Sequence, residues 1–360
     1  NRIKAWIKLI STAEIGNSKA IKLAQMLGEP EEFMGSASGK LKDISFISEF
    51  AKEQLSQELP PQKWEYTANL IEKYKIKFIS ILDEKYPSLL KNIFDPPPFL
   101  FYRGTLFKED FRRTFAIVGT RKASNYGKLM TKRIGSKLAE SGFTIVSGLA
   151  YGIDTISHIS ALESNKRTFA IMGTGVDQIY PPRNINLAEK IIENGALISE
   201  FIPGRKAERW NFPTRNRIIS GVSIGCLIVE GSKRSGALLT AKFALDQNRD
   251  IFALPGDINR QQAEGPNYLI KLGAKIVTST RDILEEYDLI MDKDEREIPK
   301  LGEKEDQIYN IILQNKPEIQ FDNLILKTGC SVGELSTILL SLELKNIVKK
   351  MPGNKIMPLY

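Results

Sequence analysis

"VGTRKASNYG", residues 118–127, decides the fold. It joins the apolar, β-branched run Thr114–Val118 to a stretch, 126–140, with helical spacing. A strand that passes through a glycine-bearing turn into a helix is the opening unit of a dinucleotide-binding sheet. Here the turn holds one glycine, Gly119, and then Thr120, Arg121 and Lys122. The second and third glycines of the dinucleotide fingerprint are missing, so close backbone approach to a pyrophosphate is obstructed. A guanidinium and an ammonium at that turn oppose the helix dipole unless an anion joins them. The turn therefore reads as a place where side chains, rather than bare backbone, reach phosphate.

Working outward, apolar runs recur at Phe143–Ser147, Thr168–Met172, Ala196–Ser199, Ile224–Val229, Ile251–Leu254 and Lys275–Thr278, with amphipathic stretches such as 186–194 and 236–248 between them. Strands separated by helix-length crossovers predict an α/β fold, an extended Rossmann-like doubly wound parallel sheet. Four segments are expected. Residues 1–65 read as a small helical domain, either a SAM-like or helix-hairpin-helix module whose glycine-bearing turn can present N–H groups to phosphate or simply a packing domain. Residues 66–290 hold the sheet, and "DEKYPSLLKNIFDPPPFLFYRG" (83–104), broken by Pro87 and Pro96–Pro98, reads as an irregular connector onto it. The charge run 291–303 reads as a solvated linker, and 304–360 as a winged helix with a capping box from Ser331 and Glu334.

The chain carries a net charge of +8, which favours a polyanionic partner. It begins at Asn1, so an initiator segment is expected to be missing. No apolar run approaches the roughly 20 residues that span a bilayer, and the two cysteines, Cys226 and Cys330, lack metal-type spacing. A cytoplasmic protein with no membrane partner, metal or cofactor is expected. The single histidine, His158, argues against a His-based metal site or a Ser-His-Asp triad.

In a parallel sheet the loops after the strands gather on one rim, where ligands bind. Those loops are GTRKASNYG, "SGLAYGID" (147–154), "GTGVDQIYPPRN" (173–184), "SEFIPGRKAERWNFPTRNRIISG" (199–221), "VEGSKRSGALLTA" (229–241) and "PGD" (255–257). They carry Arg121, Lys122, Arg183, Arg205, Lys206, Arg209, Arg215 and Arg217, interleaved with Tyr126, Tyr180, Trp210 and Phe212. Guanidinium forks grip phosphate oxygens, and unpaired bases stack on aromatic rings. The pattern fits a groove for single-stranded nucleic acid. Bland readings compete: Trp210 and Phe212 could be core, and Arg217 could pair with Glu200 or Glu230. Pro213 would open a helix that places Arg215 to Arg217 near its start. Asp154, Asp177, Glu200 and Glu230 are acids near strand ends without a recognisable nucleophile or base. Asp154 and His158, four apart, are expected to make a structural contact.

Taken in order, GTRKASNYG, SGLAYGID with His158 beyond it, GTGVDQIYPPRN, SEFIPG, FPTRNRIISG, SGALLTA and NRDIFALPGD resemble the DNA-processing protein A (DprA, Smf) family across residues 83–287. The resemblance implies an extended Rossmann fold that binds single-stranded DNA without chemistry of its own, protects incoming strands in natural transformation, loads the RecA recombinase, and forms a homodimer. Position by position it implies basic DNA contacts at Arg121, Arg183 and Arg209; together with the rim pattern, the expected DNA-binding set is Gly119, Thr120, Arg121, Lys122, Tyr126, Arg183, Arg209, Trp210, Asn211, Phe212, Arg215, Asn216 and Arg217. Leu245, Ile270 and Ile276 match the apolar positions of the family's self-association and RecA surface, and each could equally be buried core. Where many members read SGG, this chain has Ser147–Gly148–Leu149, which is expected to put a side chain near the groove.

Two rival classes remain open at this stage. A nucleotide-processing Rossmann enzyme of phosphoribohydrolase type carries PGGxGTxxE, and EGSKRSGALLTA lacks its glutamate. A winged-helix regulator would need a basic reading helix, and Ser331–Leu342 holds no lysine or arginine.

Overall fold

The computed structural model describes residues 2–34, 39–57, 61–289, 301–315, 318–345, 347–351 and 353–358. The chain divides into two units, Asn1–Ile290 and Met291–Tyr360. Most of the expected linker, 291–300, lies outside the described residues.

The first unit is built on a nine-stranded sheet: β1 (Lys77–Ser80), β2 (Phe99–Gly104), β3 (Thr114–Val118), β4 (Thr144–Ser147), β5 (Thr168–Ile171), β6 (Gly195–Ser199), β7 (Gly225–Ile228), β8 (Asp250–Ala253) and β9 (Lys275–Ile276). Their order is β1-β2-β6-β5-β4-β3-β7-β8-β9, parallel from β6 to β9, with β1 and β2 added antiparallel beyond β6. The parallel part of the sheet starts at β3, winds to β6, and returns to the other side of β3 at β7. The switch point of this doubly wound sheet thus lies between β3 and β7.

Strands β3 to β7 are buried along their whole length, which is why they read as unbroken apolar runs. Alternate residues of β3 feed two cores. Phe115 and Ile117 join Ile145, Leu227 and Phe252 beneath the helices Asn125–Glu140 and Ile153–Glu163. Ala116 and Val118 join Val146 and Ile228 beneath Ile185–Asn194, Asn211–Gly221 and Gly236–Asp246.

Two sequence expectations change here. Segment 83–104 does not stay irregular: its last third is β2, paired with β1 and β6. The prolines end before Phe99, so the strand after them keeps all its N–H donors. The N-terminal helices also share a core with the sheet. Fully buried Trp6 packs edge-on against Phe99 of β2 at 6.2 Å and donates to Glu29, while Arg2 grips Glu29 and Asp83. The turn at Gly16 opens the helix Asn17–Leu27, and Asn17 there donates to Asp95, an acid rather than a phosphate.

The second unit has the winged-helix order: helix Glu303–Gln314, β10 (Ile319–Gln320), helices Phe321–Thr328 and Val332–Leu344, β11 (Val348–Met351) and β12 (Lys355–Pro358). Gly329, at φ 67°, ends the middle helix in the left-handed conformation. The capping box is half formed. Ser331 accepts from the Glu334 N–H, but the Glu334 carboxylate turns to Lys304 at 2.6 Å.

Candidate nucleic-acid interface

The loops at the carboxyl ends of β3 to β6 are tied into one rim. Ile153 N–H donates to Thr120 O (3.2 Å) and Asn184 Nδ2 to Leu149 O (2.8 Å). Gly175 N–H donates to Arg205 O (2.9 Å), and Gly204 N–H to Asp177 Oδ1 (2.9 Å). Gly152 stands at φ 78°, and a Cβ there would lie 2.2 Å from Thr120 O, so only glycine lets the second loop close on the first. Gly119 likewise has no room for a Cβ against Ile153.

Phe212 seats the Arg121 side chain on the rim. Its ring lies over Gly173 at the end of β5, where a Cβ would come within 2.8 Å, and against the Tyr180 ring at 5.4 Å. The Arg121 guanidinium sits over the same ring at 5.8 Å. In sequence Arg183 follows Tyr180 by three residues and Arg209 precedes Phe212 by three. Arg121, Lys122, Arg183, Lys206 and Arg209 are exposed, and among the described residues no carboxylate pairs with any of them. Arg205 differs, bonding Glu208 at 2.5 Å. Trp210 is 65% exposed, a large ring left in water beside these charges.

Several expected contacts are placed elsewhere. Arg215 is buried: its guanidinium donates to Gly148 O at 2.8 Å and to Ile171 O, with the buried Asp154 carboxylate beside it. Burial pushes its pKa down to about 10, partly offset by Asp154, so it stays a cation facing inward. Arg217 is buried on the other side of the same helix, 2.5 Å from Glu200 and 3.3 Å from Asp95. Both arginines lie in the body of Asn211–Gly221, with Pro213 inside its first turn, and the helix is covered on both sides. They are corrected from DNA contacts to internal ties, because a guanidinium already holding carbonyls or carboxylates is closed to phosphate. Asn211 is buried too, and Asn216 spans the Arg215 Nε and the Gly236 carbonyl at 3.2 Å each. Tyr126 is tethered by its hydroxyl to Pro255 O after β8, at 3.0 Å.

Leu149 corrects another expectation. It adopts φ 57°, the conformation that favours glycine, yet its side chain is wholly buried and enters the core instead of the groove. His158 does not meet Asp154. Its Nδ1 pairs with Thr168 at 2.8 Å, while Asp154 accepts from the Gly148 N–H.

The sequence marks Glu230 only as an acid near a strand end and as a possible partner of Arg217; the structure gives it another role, two residues past β7 at the switch point. Its carboxylate accepts from Ser124 N–H (2.9 Å) and Ser124 Oγ (2.5 Å), and its carbonyl from Thr120 N–H (2.7 Å). The helix N-terminus that would hold a dinucleotide phosphate is filled by the chain's own anion. The signal for that role was an acid two residues past a buried strand that neighbours the first. Lys233 and Arg234, exposed on the loop that follows, were passed over.

Two family models match the chain: DNA recombination-mediator protein A over residues 77–288, and the DprA winged helix domain over 293–354. The chain belongs to the DNA recombination-mediator protein A family. Protein Smf of Escherichia coli is 34% identical over 360 residues, covering 98% of this chain and 94% of that one. DNA processing protein DprA of Bacillus subtilis is 42% identical over 59% of this chain and 71% of its own. The crystal structure of DprA from Streptococcus pneumoniae superposes with a TM-score of 0.66 at 32% identity, covering 79% of this chain and 99% of that one. A Helicobacter pylori DprA structure, described for its single-stranded DNA binding mode, superposes at 0.54 with 27% identity over 59% of this chain and 96% of that one. The family assignment matches the motif order read from the loops, and its extended Rossmann fold and winged helix are those described above. Among the described residues no single helix is long and apolar enough to cross a membrane, and no three His, Cys, Asp or Glu side chains gather as a metal site.

Proposed function

We propose that this chain binds single-stranded DNA along the carboxyl rim of its sheet and serves as a cytoplasmic recombination mediator. In this reading it protects incoming strands during natural transformation, helps load RecA onto them, and works as a homodimer. The observation that carries the reading is that Arg121, on the Phe212 ring of the Tyr180–Phe212 pair, and Arg183 and Arg209, on loops of the same rim, are exposed with no described carboxylate to neutralise them. Such a patch neutralises backbone phosphates, with counterion release, while rings take the bases. The Helicobacter pylori relative, described for single-stranded DNA binding, supports the same assignment. An enzyme of phosphoribohydrolase type is less well supported, since Glu230 is bonded into the phosphate position of the sheet.

Arg121→Ala with Arg209→Ala is expected to weaken binding to a single-stranded oligonucleotide by roughly tenfold or more at low salt. The slope of log affinity against log salt should flatten by about 0.7 for each lost phosphate contact. Measurement at two salt concentrations, with a duplex of the same length alongside, tests this. Unchanged affinity and slope in the folded double variant would refute it.

A further inference from the structure

Glu230 does more than block a nucleotide. It is 5% exposed at the carboxyl end of β7, and its carboxylate sits at the N-terminus of the 16-residue helix Asn125–Glu140. Ser124, the N-cap of that helix, accepts from Gly127 N–H at 3.1 Å and gives its own hydroxyl proton to Glu230. The space is exact to a side chain: a Cβ on Gly127 would lie 2.3 Å from Glu230 Oε2. The carboxylate therefore takes the place that a phosphate takes in nucleotide-binding sheets of this topology. Its bonds fall on both flanks of the Arg121–Lys122 tip, since Thr120 N–H is held by the Glu230 carbonyl and Ser124 by the carboxylate. Ile153 N–H adds a third hold on Thr120 O.

We propose that Glu230 is an internal phosphate surrogate, a positioning residue that locks the Arg121–Lys122 loop for the DNA backbone while shutting free phosphate out of the switch point. This rests on the proposed rim for single-stranded DNA. A preorganised loop binds more tightly because its ordering is already complete before the ligand arrives. Charge alone argues in the opposite direction. Removing an anion beside a cationic groove raises the local potential and should tighten DNA binding. The sign of the effect therefore separates positioning from simple electrostatics.

The test compares the full chain with Glu230→Ala, Glu230→Gln and Arg121→Ala, reading oligonucleotide affinity and thermal midpoint. Glu230→Ala is expected to weaken single-stranded DNA binding about tenfold despite its gain of positive charge, the scale of a lost charge-assisted hydrogen bond. Its midpoint should rise with millimolar inorganic phosphate by more than the wild type's, as the anion refills the helix N-terminus. Glu230→Gln keeps an acceptor for Ser124 N–H and should fall between the two; it decides the matter if Glu230→Ala does not fold. Unchanged or tighter DNA binding by folded Glu230 variants, alongside a loss in Arg121→Ala, would overturn the positioning role. A phosphate response no larger than the wild type's would overturn the surrogate role. If Arg121→Ala binds normally too, the rim reading itself has failed.

Discussion

His158 Nδ1 lies 2.8 Å from Thr168 Oγ1, and the Thr168 hydroxyl gives its one proton to the Ile145 carbonyl 2.7 Å away. Nδ1 must therefore donate, which leaves Nε2 unprotonated and, among the described residues, without a partner. Burial first, and then the buried Arg215 cation, push the pKa of this imidazole from 6.5 down to about 3. The sign follows. The unfolded chain takes up a proton near pH 6.5 and the folded one only near 3, so stability is at its full value above 6.5 and falls as the pH drops. The slope expected from this group is about 1.4 kcal/mol per pH unit. Because the chain has one histidine, the urea-unfolding free energy between pH 6.5 and 5 isolates it from most carboxylates. His158→Asn should lose most of that slope; an identical slope in the variant would rule the assignment out.

The helix Asn211–Gly221 shows how one element joins core to rim. Its buried Arg215 and Arg217 fasten it to the strand ends and to Glu200, while Phe212, in its first turn, meets Tyr180 and Arg121. Residues two apart on a helix point to opposite sides, so burying both arginines requires cover on both sides. Segment 83–98, through Asp95, helps supply the second. Gly173→Ala should push the Phe212 ring off its seat, move Arg121 with it and weaken single-stranded DNA binding, while circular dichroism shows the helix content retained. Trp210→Ala should cost about 1–3 kcal/mol of binding free energy, the value of one stacked base. A fluorescence titration that finds wild-type affinity in Trp210→Ala would remove that ring from the interface.

At the scale of the whole molecule, the β9 end of the sheet is an open edge. Leu245 is 65% exposed on the helix Gly236–Asp246 and Ile276 is 50% exposed on β9, with Ile270 half-buried on the helix Glu264–Lys271. Exposed apolar residues, one of them on an edge strand, are what self-association covers. Leu245→Glu with Ile276→Asp is expected to shift the protein toward monomer in sedimentation velocity, leaving the fold intact and affinity for a short oligonucleotide little changed. A wild type that is monomeric at micromolar concentration would remove this surface from the proposal. In the second unit, Val332, Leu340 and Leu344 are the exposed large side chains of the helix Val332–Leu344, which has no cation with which to read a duplex.

Strand and helix positions within 114–287 were legible because parallel strands covered on both faces must be apolar throughout, and the helices between them on one side only. The glycine at 119 and the cationic turn at 121–122 were legible for a similar reason, since local geometry and charge constrain them residue by residue. β2 was hidden by the prolines before it, and Leu149 by a backbone angle that its identity argues against. The tertiary structure alone decided which arginines face water. Arg121 and Arg209 carry the same side chain as Arg215 and Arg217, and the difference lies in neighbours brought from elsewhere in the chain: Asp95, Glu200 and the carbonyls of Gly148 and Ile171. A guanidinium binds whichever oxygen reaches it first, and only the folded chain determines whether that oxygen is its own.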